Sequence, residues 1–236
     1  NLHTLKITAV SFAIQYLHKV ALFSGNESKM SKYKRYQDYV IKNGEFVGEF
    51  EQMYQDFNDP WEQNKRANST EKAICTNIVQ SYSFKRVIEL GCGFGNLTSS
   101  LNKVSNKVLG IDISQTAINK AKRINADCNF EVGNFSDFNI LKNFKPDCIV
   151  MSEITWYVLD YIDEFKDFLK KELPETYLIH LLMTYKKGVQ KYGVNKFTNL
   201  LEIKKFFEMN YQEYGEIESD EMNGNKYTYF IGRYKT

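Results

Sequence analysis

The sequence has no surplus of either charge. Lysine and arginine number 31 against 29 aspartate and glutamate, for a net charge of +2 spread along the chain. A protein dedicated to nucleic acid is expected to carry a basic patch or tail, and none stands out here. Cysteine is sparse: Cys75, Cys92, Cys128 and Cys148 lie far apart, with no C-x-x-C pair. That spacing gives neither a zinc nor a redox signature and suits a reducing cytoplasm, so no metal is expected. Long apolar runs are missing too. The stretch 2–23 is interrupted by Lys6, Gln15, His18 and Lys19, which argues against a membrane span. It also lacks the basic start and small-residue cleavage site of a secretory signal, so a cytoplasmic location is expected. There are no internal repeats and no low-complexity segments.

What is present is ordinary globular composition, 43% hydrophobic and 25% charged, in a chain long enough for one sizeable core. The expected organisation is a helical extension or lid over residues 1–60 and one α/β domain over 61–236. In the extension, Leu5, Ala9, Phe12, Tyr16 and Val20 fall at helical spacing. Residues 32–41 read as a second helix, stopped by Asn43-Gly44. Residues 45–57 read as a third, whose stripe of Phe46, Phe50, Met53, Tyr54 and Phe57 suits core or lid contacts. Asp59-Pro60-Trp61 is a turn, and Ser69 or Thr70 caps a helix that leads into the next strand.

That strand begins the centre of the chain, Arg86-Val87-Ile88-Glu89-Leu90-Gly91-Cys92-Gly93-Phe94-Gly95-Asn96-Leu97. It reads as a buried strand, a glycine turn and a helix start. A turn feeding a helix N-terminus suits an anionic ligand group. Cys92, inside the turn, reads as a small residue the turn needs rather than a reactive thiol. Strands and helices then alternate: strand 107–111, helix 115–124 capped by Ser114, strands 129–133 and 147–151, helix 161–171 started by Asp160, and strand 176–183. Helix 198–209 and strands 211–218 and 226–234 close the chain, the last two joined through Asn223-Gly224. The fold class is therefore α/β: a Rossmann-like, seven-stranded, mostly parallel sheet, with one antiparallel strand from a C-terminal hairpin.

Two ligands use such a turn. A dinucleotide site wants G-x-G-x-x-G, but the third glycine comes one residue early here, at Gly95, and Asn96 takes its place. Glu89, two residues before the first glycine, sits poorly beside a pyrophosphate and well beside an ammonium group. Glu89-Leu90-Gly91-Cys92-Gly93-Phe94-Gly95 resembles the first motif of the class I S-adenosylmethionine-dependent methyltransferases, an acid followed by G-x-G-x-G. The resemblance implies S-adenosylmethionine as cofactor, S-adenosylhomocysteine as product, and no metal. It places Glu89, Gly91, Cys92, Gly93, Gly95 and Asn96 at the cofactor. Asp112 stands where the family acid takes both ribose hydroxyls, and a carboxylate can accept both bonds. Ile113 lies against the adenine, with Asn134 and Phe135 beside it.

Met151-Ser152-Glu153-Ile154-Thr155-Trp156-Tyr157-Val158-Leu159 ends the fourth strand, which in this family faces the transferred methyl group. It is similar to the S-E-x-x-Y-Y-L stretch of the NodS-like subgroup, which N-methylates an amino sugar in lipo-chitooligosaccharide synthesis. Asp59-Pro60-Trp61 and Glu71-Lys72 resemble the same subgroup's D-P-W and Y-E-x-x-K elements. Trp156 replaces the first tyrosine, and Thr70 precedes Glu71 where the subgroup has tyrosine. The resemblance implies Trp61 and Ser152 at the cofactor. Glu153 is a base or acceptor anchor, or a hydrogen-bonding residue that fixes the loop or the cofactor amino group, with Trp156 and Tyr157 walling the methyl pocket. His180, inside an apolar strand, reads as a packing residue. The loop 186–196, with four lysines and two glycines, reads as a solvated surface loop or a cover for an anionic acceptor. The expected activity is methylation of a nitrogen or oxygen on a small molecule. A sugar, a nucleotide-linked sugar or a capsule or surface-polysaccharide precursor is expected, phosphoramidate-bearing ones included. The protein is expected to be a monomer or homodimer. A methyltransferase of protein or nucleic acid, and a cofactor-binding scaffold without turnover, are the other readings.

Overall fold

The computed structural model describes residues 31–63, 69–219 and 222–234, so the helix expected from Leu5 to Val20 lies outside the described residues. The chain divides into two compact units, Asn1–Lys34 and Arg35–Thr236, and the second holds the sheet. Its strands are β3 (Arg86–Leu90), β4 (Lys107–Asp112), β5 (Asn129–Val132), β6 (Cys148–Ser152), β7 (Tyr177–Thr184), β8 (Asn210–Ile217) and β9 (Lys226–Arg233). They lie in the order β5-β4-β3-β6-β7-β9-β8. The pairings from β5 to β7 are parallel, and β9 runs antiparallel to both its neighbours. This is the expected Rossmann-like sheet with one reversed strand.

Side-chain alternation along each strand fills two cores. Ile88, Leu90, Ile111, Ile149, Met151 and Leu178 face one side, against α5 (Phe138–Phe144), α6 (Ile162–Glu172) and α7 (Leu200–Phe207). Val87, Val108, Cys148, Val150, Ile179 and Ile231 face the other, against α2 (Thr70–Ser81) and α3 (Asn96–Asn102). His180 belongs to the first side, stacked on Phe230 at 5.0 Å with its Nε2 2.8 Å from the Thr155 hydroxyl. Burial holds its pKa down at about 3, so the ring stays neutral, as a packing residue should.

Four local expectations are corrected. Residues 32–41 form a single 3-10 turn, Tyr36–Tyr39, and then strand β1 (Ile41–Lys42), which pairs with β2 (Glu45–Phe46). Asn43 and Gly44 both take positive φ, 55° and 85°, so this Asn-Gly is a two-residue hairpin turn and not a helix stop. Gly48, at φ 71°, then delays helix α1 to Phe50–Asp56. The third correction is the unexpected helix α5, started by Asp137, whose carboxylate accepts the Asn139 N–H at 3.2 Å. Finally, α6 starts after Tyr161 with no side-chain cap, so Asp160 does not perform that task. No helix among the described residues is long and apolar enough to cross a membrane.

Candidate active site

The sheet brings its strand ends together where chain direction divides. From β3 the chain moves outward through β4 to β5, then returns to the other side of β3 for β6 and β7. Leu90 pairs with Ile111 on one side and Met151 on the other. The glycine turn, Asp112 and Glu153 therefore emerge side by side, at the switch point where open α/β sheets hold their ligands. A cavity of about 500 Å³ opens there.

The glycine turn is shaped by its own backbone. Gly91, Gly93 and Gly95 all take positive φ, 71°, 54° and 75°. A Cβ on Gly93 would lie 2.6 Å from the Gln63 side chain. Four N–H groups of the turn are spent inside the protein. Cys92 donates to the Ile111 carbonyl at 2.9 Å, and Gly95 to the Cys92 carbonyl at 2.9 Å. Gly93 donates to Asp112 Oδ2 at 2.9 Å and Phe94 to Gln63 Oε1 at 2.8 Å. A phosphate cradle needs such amides turned toward the ligand. Those four amides are accordingly not offered to an anion.

Asp112 is 8% exposed. Its second oxygen accepts the Ser114 N–H at 2.9 Å. Burial raises its pKa, against the pull of these two backbone donors. Each oxygen still has a lone pair for a ligand hydroxyl. Glu89, 4% exposed, accepts the Thr98 hydroxyl. Burial pushes its pKa up to about 8, with Thr98 and the nearby Lys72 opposing. Burial lowers the Lys72 pKa in turn, while Glu71 and Glu89 oppose that shift. One end of the cavity thus offers a buried acid and an amine, a match for the ammonium and carboxylate of an amino acid. Ile113, half exposed, and Phe135, packed 4.8 Å from the Phe165 ring, line the cavity beyond Asp112. Asn134 lines it too, but its Oδ1 already accepts from the backbone and hydroxyl of Ser136, each at 3.2 Å.

Glu153 and Tyr157 line the cavity as well, with Ser152 and Met183. Glu153 holds φ 62°, a strained conformation for a residue with a side chain, and its N–H donates to the Leu181 carbonyl at 2.9 Å. Burial raises the Tyr157 pKa far above the ordinary phenol value, and the Glu153 charge adds to the shift, so the hydroxyl keeps its proton. Trp61 also lines the cavity, 5.6 Å from the Tyr157 ring. Trp156, Gly93 and Gly95 do not. The Trp156 indole is buried against Phe197, and its N–H donates to the Met183 carbonyl at 3.0 Å, so it supports a wall from behind. No lysine of the 186–196 loop lines the cavity. Among the described residues no group of three metal-ligating side chains gathers anywhere.

The N-terminal part supplies residues that no motif pointed to. Gln63 closes over the glycine turn through two bonds, accepting from the Phe94 N–H and the Asn96 side-chain amide, while its own N–H donates to Asp59. Glu51 of α1 accepts from the Ser114 hydroxyl at 2.6 Å and from the Thr116 hydroxyl at 2.6 Å and N–H at 3.1 Å, at the start of α4 (Gln115–Ile124). Three of the five stripe residues, Phe46, Phe50 and Tyr54, line the cavity, while Met53 is core. Helical spacing flagged these residues but could not say which of them meet a ligand.

Residues 87–172 match a family model described as a methyltransferase domain. Their span runs from β3 through α6 and so includes the glycine turn, Asp112 and Glu153. No curated protein matches the sequence. Solved structures match the fold at low identity. An S-adenosylmethionine-dependent methyltransferase from Clostridium acetobutylicum is 15% identical, with a TM-score of 0.57 over 77% of this chain and 99% of its own. The N-methyltransferase NodS from Bradyrhizobium japonicum, solved with S-adenosylhomocysteine, is 15% identical, with a TM-score of 0.54 over 77% and 97%. A Haloferax volcanii methyltransferase, solved with the activator Trm112, is 16% identical, with a TM-score of 0.56 over 78% and 98%. At these identities the likeness is one of fold, and the chemistry has to be argued from the domain's own side chains.

Proposed function

We propose that the protein transfers a methyl group from S-adenosylmethionine to a nitrogen or oxygen of a small molecule, a sugar or surface-polysaccharide precursor being the class that its sequence resembles. The observation that carries this reading is the chemistry of the cavity floor. The N–H groups of Cys92, Gly93, Phe94 and Gly95 are already bonded within the protein and are not offered to a pyrophosphate. Glu89 and Lys72 match an amino-acid end, Asp112 a ribose, and Ile113 with Phe135 a flat base. When bound, the cofactor supplies an electrophilic methyl group: the acceptor's lone pair forms the new bond to carbon, and the C–S pair stays on sulfur as a thioether. The protein's part is to align and dry the reacting atoms, and such positioning supplies about 7–11 kcal/mol in favourable cases. Glu153 and Tyr157 follow β6 and line the same cavity, and they are assigned to the acceptor.

The test is thermal shift with S-adenosylmethionine, S-adenosylhomocysteine and NAD. Stabilisation by the two sulfur ligands supports the reading. Stabilisation by NAD alone sinks it.

A further inference from the structure

Asp112 takes its two backbone bonds on different oxygens. Gly93 donates to Oδ2 and Ser114 to Oδ1, each at 2.9 Å. Where its remaining lone pairs point depends on how those two donors are held, because hydrogen bonds weaken steeply when misaligned. On the Gly93 side, the next residue, Phe94, donates its N–H to Gln63 Oε1 at 2.8 Å. On the other side, Ser114 is held by Glu51 of α1. Ser114 is fully buried, and each of its bonds has a separate direction. Its N–H goes to Asp112, its hydroxyl donates to Glu51 Oε2 at 2.6 Å, and its side-chain oxygen accepts the Ala117 N–H at 3.0 Å. A hydroxyl has one proton, so the Glu51 carboxylate fixes its rotation. The same carboxylate takes the Thr116 hydroxyl at 2.6 Å and the Thr116 N–H at 3.1 Å. It thereby clamps the first turn of α4, where a negative charge also meets the positive end of the helix dipole. Glu51 itself does not line the cavity, so any effect it has on a ligand passes through another residue.

On the cofactor reading above, we infer that Glu51 is a positioning residue for the cofactor ribose: acting through Ser114, it aims the Asp112 carboxylate at the ribose hydroxyls. Helix α1 thereby belongs to the cofactor-binding device, although it lies far from the glycine motif in sequence. The link joins two carboxylates through one serine, so it also brings like charges near each other. Burial is the larger cause of the raised Asp112 pKa, and the Glu51 charge adds to it. That charge works against ribose binding, because a protonated carboxyl gives up acceptor capacity. The bonds of Glu51 and its charge therefore push the ribose preference in opposite directions. The sign of the change in a variant tells them apart.

The experiment is calorimetry on the full chain with S-adenosylhomocysteine and with its 2′,3′-dideoxy analogue, which lacks only the hydroxyls assigned to Asp112. Charge-assisted bonds to those hydroxyls are expected to give the wild type a preference of about a hundredfold for S-adenosylhomocysteine. Glu51→Gln is expected to cut that preference to about tenfold, with the affinity for the dideoxy analogue within about twofold of wild type. Ser114→Ala cuts the same link at its other end and is expected to do the same, which keeps the test open if Glu51→Gln does not fold. In an Asp112→Asn background, Glu51→Gln should cost no more than about twofold further, because the group it positions is already gone. A merely structural role would lower both ligands together, and equal losses overturn the assignment. So does an unchanged preference in the variants. A preference that rises in Glu51→Gln overturns it as well, since only the charge of Glu51 would then be felt. If S-adenosylhomocysteine does not bind the wild type, the cofactor reading fails and the positioning role with it. Tight binding of S-adenosylhomocysteine with no dependence of the ribose preference on Glu51 sinks the positioning role alone.

Discussion

Two buried carboxylates at the ends of neighbouring strands have opposite tasks. Asp112 holds the turn to the start of α4 while keeping lone pairs for a ligand. In Asp112→Asn one carboxylate oxygen becomes an N–H₂ group that faces a backbone donor. The lost charge-assisted bonds are worth about 1.5–3 kcal/mol, so affinity for S-adenosylhomocysteine should fall by about ten- to a hundredfold. Calorimetry measures this, and an unchanged affinity would remove Asp112 from the site. Glu89 is different because its pKa lies at about 8. In the free protein at pH 7 it is mostly protonated, and that form fits its dry setting. Its raised pKa contributes stability that is complete below the unfolded value of about 4.3 and fades as pH rises through about 8. A ligand ammonium favours the charged form, so binding at pH 7 should expel a proton and tighten as pH approaches 8. Titrations in buffers of different ionisation enthalpy should show that release in the wild type and lose it in Glu89→Gln. Glu89, the glycines and Asp112 were legible in the sequence because their spacing along two strands is fixed by the turn. Gln63 and Glu51 were not, because each acts across more than thirty residues through a side chain that belongs to no motif.

Helix α1 is short, and its tie to the rest of the unit is concentrated in Glu51. Burial alone would raise that carboxyl, but hydrogen bonds from Ser114, Thr116 and Gln55 pull its pKa down to about 2. A depressed carboxyl contributes stability above its unfolded value of about 4.3, which is lost as pH falls toward about 2. The acid limb of the unfolding curve should therefore be steeper in the wild type than in Glu51→Gln between pH 4.5 and 2.5. At neutral pH the substitution should cost about 1–2 kcal/mol, the lower part of the range for charged hydrogen bonds because the side chain is partly wet. Equal acid limbs in the two proteins would show that the clamp does not form. The order of strands and helices was readable because buried parallel strands leave unbroken apolar runs, and the closing Asn223-Gly224 named its hairpin. Asn43-Gly44 carried the same signal and was misread as a helix stop, since strands of two residues leave no alternation to see. Helix α5 escaped notice because seven residues between two loops give less than two clear turns of periodicity.

Across the whole unit, the site is a floor of strand ends roofed by the segment from Tyr36 to Gln63. The floor is covalently and topologically fixed. The roof is held by Glu51, by Gln63 and by rings such as Phe50 and Trp61 against Tyr157. A cofactor between the two should tighten the roof most. At a hundredfold excess over its dissociation constant, a ligand stabilises the native state by about 2.7 kcal/mol. For a chain of this size that corresponds to a rise in melting temperature of about 5–10 °C. Hydrogen exchange should place the gain. Amides of α1 and of the turn after Gly91 should slow on addition of S-adenosylhomocysteine, because local opening of the roof then requires ligand release. Strand β8, at the far edge of the sheet, should exchange as before. Protection in β8 and β9 without protection in α1 would place the ligand elsewhere and separate the N-terminal roof from the site.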